Sequence, residues 1–185
     1  NDVMEAQWKA LPNYVDGDEN ILVVADVSGS MSFHNGRKPM ATSIGLALYF
    51  AERNQGEFHN LFMTFSENPH FVTVKGDTLR EKIHYARHED WGTSTNLDSV
   101  FQEVLSLSKR NHVAKNDLPK AIVVVSDMQI DSGFRNRIDE TFYEHWKSEF
   151  EKEGYEIPNV VFWNVNATSD VFHFDKNMKG VQAYS

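Results

Sequence analysis

The sequence predicts a doubly wound, Rossmann-like α/β domain with a mostly parallel sheet, one antiparallel edge strand and helices on both faces. Two runs, NILVVAD (20–26) and KAIVVVSD (120–127), are apolar at successive positions, as are central parallel strands covered on both sides. Amphipathic stretches with helical periodicity separate the predicted strands. The resulting order β-α-β-β-α-α-β-α-β is typical of doubly wound folds.

The remaining elements follow from periodicity and from the residues that flank each segment. Strands are predicted at 20–26, 60–66, 70–74, 120–127 and 159–165, and helices at 40–53, 78–88, 96–110 and 136–154. The two strands that flank the turn ENP are predicted to pair antiparallel. Pro39 precedes the first helix and Gly154 closes the last one, as expected for a helix start and a helix stop.

Composition sets limits on the class of protein. A chain of 185 residues with 41% hydrophobic residues fits one domain, 1–185, in which 1–19 form a lead-in segment. There is no cysteine, which excludes a disulfide framework and a cysteine-based zinc site and favours a cytoplasmic setting. The formal charge of -9 argues against broad binding to nucleic acid or to an anionic membrane. Because the chain begins without methionine, we expect it to be excised from a longer protein.

Oxygen-bearing side chains directly follow two of the predicted strands. The segment VVADVSGSMS (23–32) places Asp26, Ser28 and Ser30 after the first strand, and Asp127 ends the run KAIVVVSD. In open parallel sheets, ligands bind beyond the carboxyl ends of the strands, where the strand order reverses. We therefore expect these side chains to meet at one edge of the sheet.

A third polar segment, WGTSTN (91–96), precedes a predicted helix and offers Thr93 or Thr95 to the same edge. Two carboxylates among neutral hydroxyls suit a hard divalent cation, best Mg²⁺, with Mn²⁺ or Ca²⁺ as alternatives. Because few of these ligands are anionic, the cation would take one more oxygen from outside the site.

In this order, the three segments resemble the metal-ion-dependent adhesion site (MIDAS) of von Willebrand factor type A domains. The stretches QWKALPNY, DVSGSM, DWGTSTNLDSVF, VVVSDMQID and VVFWNV are also similar to uncharacterised intracellular proteins whose von Willebrand A half resembles that of TROVE/Ro RNA-binding proteins. The likeness runs from about Gln7 to the C-terminus.

The resemblance implies a role for each candidate ligand. Ser28 and Ser30 would bind the metal through their hydroxyls, and Asp26 would bind it directly or through water. Asp127 would hold a metal-bound water. Thr95 aligns better than Thr93 with the threonine of the family. Many relatives have Asp-Gly where this chain has Asp127-Met128, so that Met128 would alter the rim of the site.

The function expected from these features is metal-dependent binding of an acidic group, a carboxylate or a phosphate, from a partner protein, without catalysis and without a membrane. One alternative is a Mg²⁺-dependent hydrolase or phosphotransferase, for which Asp131 and His34 are the available acid–base groups. A third hypothesis makes the chain a companion domain of a TROVE-like protein that binds RNA through another part of its sequence.

Simpler interpretations exist for the same segments. The run SGS (28–30) is also typical of a turn with a helix cap, and TSTN (93–96) can cap the helix that begins near Leu97. His84 and His88 have the i, i+4 spacing of a zinc pair, but no third ligand is near in sequence. A solvated helix face is the simpler interpretation of that pair.

Overall fold

The structure is a computed structural model that describes residues 2–15, 17–28, 31, 39–89, 92, 95–127, 140–165 and 181–184. These residues form one six-stranded sheet with the strand order β3-β2-β1-β4-β5-β6. The strands are β1 Asn20–Ala25, β2 Leu61–Thr64, β3 Phe71–Thr73, β4 Pro119–Ser126, β5 Asn159–Asn164 and β6 Val181–Tyr184. Neighbouring strands are parallel, except that the edge strand β3 runs antiparallel to β2.

Helices in the described part of the chain cover both faces of this sheet. They are α1 Asp2–Lys9, α2 Pro39–Arg53, α3 Leu79–Arg87, α4 Leu97–Arg110 and α5 Glu140–Lys152. Two short 3₁₀ turns, Gly56–Phe58 and Lys115–Asp117, precede the amino-terminal ends of β2 and β4. No helix among the residues described combines the length and apolar character needed to cross a bilayer.

Strand β1 shows why the central strands are apolar at every position. Leu22 and Val24 belong to the core that includes α4 and α5, whereas Val23 and Ala25 belong to the core that includes α2 and α3. Successive side chains of a strand point to opposite faces, so a strand covered by helices on both sides needs apolar residues throughout. The sheet therefore separates two hydrophobic cores.

The predicted fold class is confirmed, and the nine predicted elements are present with ends shifted by a few residues. Residues 136–139 of the last predicted helix lie outside the described part. Two elements were not predicted: α1, within the segment interpreted as a lead-in, and β6. Helix α1 has no buried residue, and β6 is only four residues long, so neither carries a strong apolar periodicity.

Candidate functional site

The strand order places the carboxyl ends of β1 and β4 at the point where the chain reverses its winding direction. From β1 the sheet extends to β2 on one side and to β4 on the other, which is the switch point of a doubly wound sheet. Asp26 follows β1 directly and Asp127 follows β4 directly. The backbone N–H of Asp26 donates to the carbonyl of Val125 at 2.9 Å, so the parallel pairing continues to the first carboxylate.

The side chain of Asp26 is almost fully buried and is held by hydrogen bonds to both oxygens. Its exposed fraction is 2%. Oδ1 accepts a hydrogen bond from the backbone N–H of Ser28 at 2.8 Å, and Oδ2 accepts one from Oγ of Ser126 at 3.1 Å. The Ser28 side chain also hydrogen-bonds to this carboxylate. The first loop therefore fixes Asp26 and keeps the Ser28 hydroxyl next to it.

Burial makes the negative charge on Asp26 unfavourable. Loss of hydration raises the pKa of this carboxyl group, and the nearby charge of Asp127 raises the pKa further, whereas hydrogen bonds from Ser28 and Ser126 lower it. Asp127 is itself 7% exposed. Two neighbouring buried carboxylates repel each other unless a cation or a proton is present.

The polar loop that precedes α4 is hydrogen-bonded to the residues that follow β2. Gly92 donates its N–H to the carbonyl of Phe65 at 3.1 Å, and Asn96 donates its N–H to the carbonyl of Ser66 at 3.3 Å. Phe65 in turn donates to the carbonyl of Ala25, the residue before Asp26, at 3.0 Å. These bonds hold Gly92 and Asn96 against the end of β2, which in turn lies beside the end of β1.

Glycine is required at position 92 because the two chain segments approach so closely. A Cβ atom on Gly92 would lie 2.8 Å from Cα of Ser66, a backbone atom that cannot move away without shifting its strand end. The loop that carries Thr95 thus lies against the end of β2 with no room for a side chain.

Thr95 presents a buried hydroxyl that the described residues leave unpaired. Its exposed fraction is 5%, and its Oγ1 atom has no hydrogen-bond partner in the described part of the chain. The N-cap of α4 is Asn96, whose Oδ1 accepts from the backbone N–H of Ser99 at 3.3 Å, so capping does not use Thr95. A buried hydroxyl without a partner costs about 1–3 kcal/mol, which a ligand to that oxygen would recover.

Of the predicted site residues, the structure brings together Asp26, Ser28 and Asp127, and it places Thr95 on the loop that is hydrogen-bonded to the end of β2. The predicted Ser30, the alternative Thr93, the rim residue Met128 and the acid–base candidates Asp131 and His34 lie outside the described residues. Within the described part, no cluster of three or more histidine, aspartate or glutamate side chains is arranged to hold a metal ion. The candidate set has two carboxylates, and its other oxygens come from hydroxyls.

Sequence reasoning did not assign a role to Ser126 or Gly92. Ser126 is the last residue of β4 and follows Val125, which pairs with Ala25, and its hydroxyl donates to the Asp26 carboxylate. A polar residue that ends an apolar strand, one position before a predicted ligand, was the available signal. The role of Gly92 depends on a contact that the local sequence does not reveal.

Comparison with known proteins gives the family. Residues 20–185 match the family described as a domain of unknown function, DUF7788. The chain belongs to the DUF7788 family. A similar protein is the uncharacterised protein L728 of Acanthamoeba polyphaga mimivirus, 32% identical over 170 residues, which are 90% of this chain and 29% of L728.

A solved structure shares the fold of this DUF7788 domain. The crystal structure of the Deinococcus radiodurans Ro (RSR) protein superposes with a TM-score of 0.58 and 20% identity, over 90% of this chain and 31% of the Ro chain. The likeness to Ro proteins expected from the sequence is thereby confirmed for the fold. The chain spans less than a third of both proteins.

Proposed function

We propose that this DUF7788 domain is a divalent-metal-dependent binding module. Asp26, Ser28, Ser30, Thr95 and Asp127 would hold Mg²⁺ in the manner of a MIDAS motif, and the ion would bind an acidic group of a partner. The observation that carries this proposal is the pair of buried carboxylates at the switch point of the sheet, together with a buried Thr95 hydroxyl, on the loop at the neighbouring strand end, that the described residues leave unpaired.

The oxygen atoms of the described site residues suit a hard cation. Mg²⁺ prefers oxygen ligands and uses one or two carboxylates with neutral oxygens around them. It would neutralise the repulsion between Asp26 and Asp127 and would give the Thr95 hydroxyl a partner. When bound, the ion supplies an open position for an external carboxylate or phosphate, since the protein ligands carry only two negative charges.

The first experiment is a thermal melt over a Mg²⁺ titration, with EDTA as the metal-free reference. We expect wild type to gain about 1.4 kcal/mol at ~10 times Kd, which corresponds to a Tm rise of roughly 3–6 °C for a chain of this size. Asp26→Asn should lose this response. The matched control is Asp18→Asn, an exposed aspartate beyond the other end of β1. A Mg²⁺ response of Asp26→Asn equal to that of wild type would contradict the site assignment.

The second experiment tests binding of an acidic group. An immobilised Asp- and Glu-rich peptide should retain wild type in Mg²⁺ and release it in EDTA, and Asp26→Asn should not be retained. Retention that persists in EDTA would show that the surface binds the peptide without the metal. A peptide with amides in place of the carboxylates is the matched probe.

The same preparations separate a binding module from the alternative hydrolase. We expect no turnover of phosphate esters with Mg²⁺ or Mn²⁺. Robust turnover that disappears in Asp131→Ala or His34→Ala would favour the enzyme.

The structural likeness to a Ro protein favours one second hypothesis, a companion domain within a longer Ro-like protein. In that arrangement the metal site would receive its acidic group from another part of the parent protein or from a protein partner. RNA would be bound elsewhere in the parent, because the negative net charge of this chain disfavours contact with the many phosphates of a nucleic-acid backbone.

A further inference from the structure

Two histidines stand side by side at the C-terminal end of α3, and neither belongs to the candidate site described above. His84 lies in the last turn of the helix and His88 is the residue that caps it. Their ring centroids are 4.3 Å apart, with an angle of 43° between the ring planes. Both side chains are exposed, so the pair is accessible from solvent.

The structure fixes which nitrogen of His88 carries the proton. Nδ1 of His88 lies 2.6 Å from the backbone carbonyl oxygen of His84. A carbonyl oxygen can only accept, so Nδ1–H is the donor, and the neutral ring keeps an unprotonated Nε2. Metal-binding histidines commonly have this arrangement, in which one ring nitrogen donates to a carbonyl and the other binds the ion.

The position at a helix C-terminus also suits a cation. The last carbonyl groups of α3 project out of its C-terminal end, where the helix dipole is negative and positive charge is favoured. Arg87 in the same turn opposes a second positive charge. Metal binding here would depend on the lone pairs that the two imidazole rings donate to the ion, and not only on the surrounding charges.

We propose that His84 and His88 form a two-histidine site for a divalent transition-metal ion, Zn²⁺ or Cu²⁺. The spacing i, i+4 places both rings on one face of the helix, and water or a donor from a partner protein completes the coordination. Imidazole suits Zn²⁺ and Cu²⁺, whereas Mg²⁺ prefers the hydroxyl and carboxylate oxygens of the candidate site. The domain would thus bind two kinds of metal ion at two separate places.

The experiment is a calorimetric titration of the 185-residue chain with Zn²⁺, and separately with Cu²⁺, in the presence of saturating Mg²⁺. We expect one equivalent of transition metal in wild type. Either His84→Asn or His88→Asn should raise Kd by at least about tenfold, because even loss of an outer-shell partner costs about 10–100-fold in affinity. The increase in Kd for the double variant should be smaller than the product of the two single-variant increases, since both rings bind the same ion.

The matched control is His145→Asn, which removes another exposed helical histidine, in α5, with no histidine one turn away. Its affinity should equal that of wild type. Asp26→Asn should also retain the transition-metal site, which separates failure of this inference from failure of the proposed function. Unchanged affinity in both single variants, loss in only one of them, or equal losses in His145→Asn would each overturn the proposal.

Discussion

An asparagine side chain can also make two of the hydrogen bonds that hold Asp26. The asparagine Oδ1 can accept from the N–H of Ser28, and its Nδ2 can donate to Oγ of Ser126. The substitution removes a buried negative charge that lies near Asp127. Since burial raises the pKa of Asp26, its ionised form weakens the fold at neutral pH when no cation is bound.

We therefore predict that Asp26→Asn in EDTA at neutral pH has a Tm equal to or above that of wild type, although the same variant loses its response to Mg²⁺. The measurement is a pair of calorimetric melts in EDTA. A Tm several degrees below wild type would show that the charge on Asp26 stabilises the metal-free fold.

Gly92 supports a second prediction for single residues. In Gly92→Ala the new methyl group would meet Cα of Ser66 at 2.8 Å and Cβ of Ser66 at 3.0 Å, so the loop must move away from β2. Overpacking of this kind typically costs about 1–3 kcal/mol. Because the same loop carries Thr95, we expect a lower Tm in EDTA and a weaker affinity for Mg²⁺.

Gly45→Ala is the matched control for that variant. Gly45 lies within α2 and has open space where a Cβ would be placed. Alanine is favoured over glycine inside a helix by roughly 0.5–1 kcal/mol, so the control should be slightly stabilised and should bind Mg²⁺ as wild type does. Equal Mg²⁺ affinity in the two glycine variants would contradict the role given to the 92–96 loop.

At the scale of elements, α1 and α3 are joined through the first turn of α3. Thr78 and Glu81 form a capping box, in which the Glu81 carboxylate accepts from the N–H groups of Thr78 and Asp77. Glu5 of α1 accepts from the N–H of Leu79 at 2.7 Å. Two carboxylates thus accept from three successive N–H groups at the start of this helix, those of Asp77, Thr78 and Leu79.

These contacts predict how acid affects the α1–α3 junction. The Leu79 N–H lowers the pKa of Glu5, and the Asp77 and Thr78 N–H groups lower the pKa of Glu81. A lowered pKa means that the stabilisation is present above the ordinary value of 4.5 and is lost as pH falls through the folded-state values. We expect the exchange protection of the Leu79 amide to fall on acidification below that value.

The variant Glu5→Gln tests the same junction at neutral pH. It should reduce the exchange protection of the Leu79 amide under conditions where wild type retains it, because a neutral amide is a weaker acceptor than a carboxylate. Glu103→Gln, which changes an exposed glutamate of α4, is the control. Identical protection at Leu79 in both variants would show that Glu5 does not hold the junction.

The elements that the sequence did not predict share a physical cause. Helix α1 leaves Val3 63% and Met4 54% exposed and is held by contacts such as the Trp8 indole N–H to Glu52 at 3.0 Å. Local periodicity does not reveal polar contacts to residues far along the chain. The strand β6 is defined by its pairing with β5 rather than by an apolar run of its own.

The site was predictable to the extent that it depends on strand ends. Asp26 and Asp127 follow apolar strands, so a parallel sheet places both at its carboxyl end, and the adjacency of β1 and β4 brings them together. The burial of Thr95 and the capping role of Asn96 required the structure, because either residue could have capped α4. The bond from Ser126 to Asp26 joins positions 100 residues apart, which no local pattern predicts.

At the scale of the whole molecule, the balance of 18 basic and 27 acidic residues leads to a prediction about nucleic acid. Binding to RNA depends mainly on neutralisation of phosphates by clustered lysine and arginine. We expect negligible RNA affinity for the isolated chain at physiological salt. A filter-binding assay over a series of salt concentrations measures it, and a submicromolar, salt-sensitive complex would contradict this prediction.

The hydrogen bond between Ser126 and Asp26 has a consequence for the lifetime of the folded state. It forms only after β1 and β4 have paired, and Gly92 and Asn96 must also reach the end of β2 before Thr95 can contribute. A partly folded chain would therefore offer no complete set of oxygens to an ion. An ion that binds only the finished arrangement slows unfolding more than it speeds folding, because its contacts are absent from the transition state. A bound ion would thus make the domain more resistant to proteases that cleave the transiently opened chain.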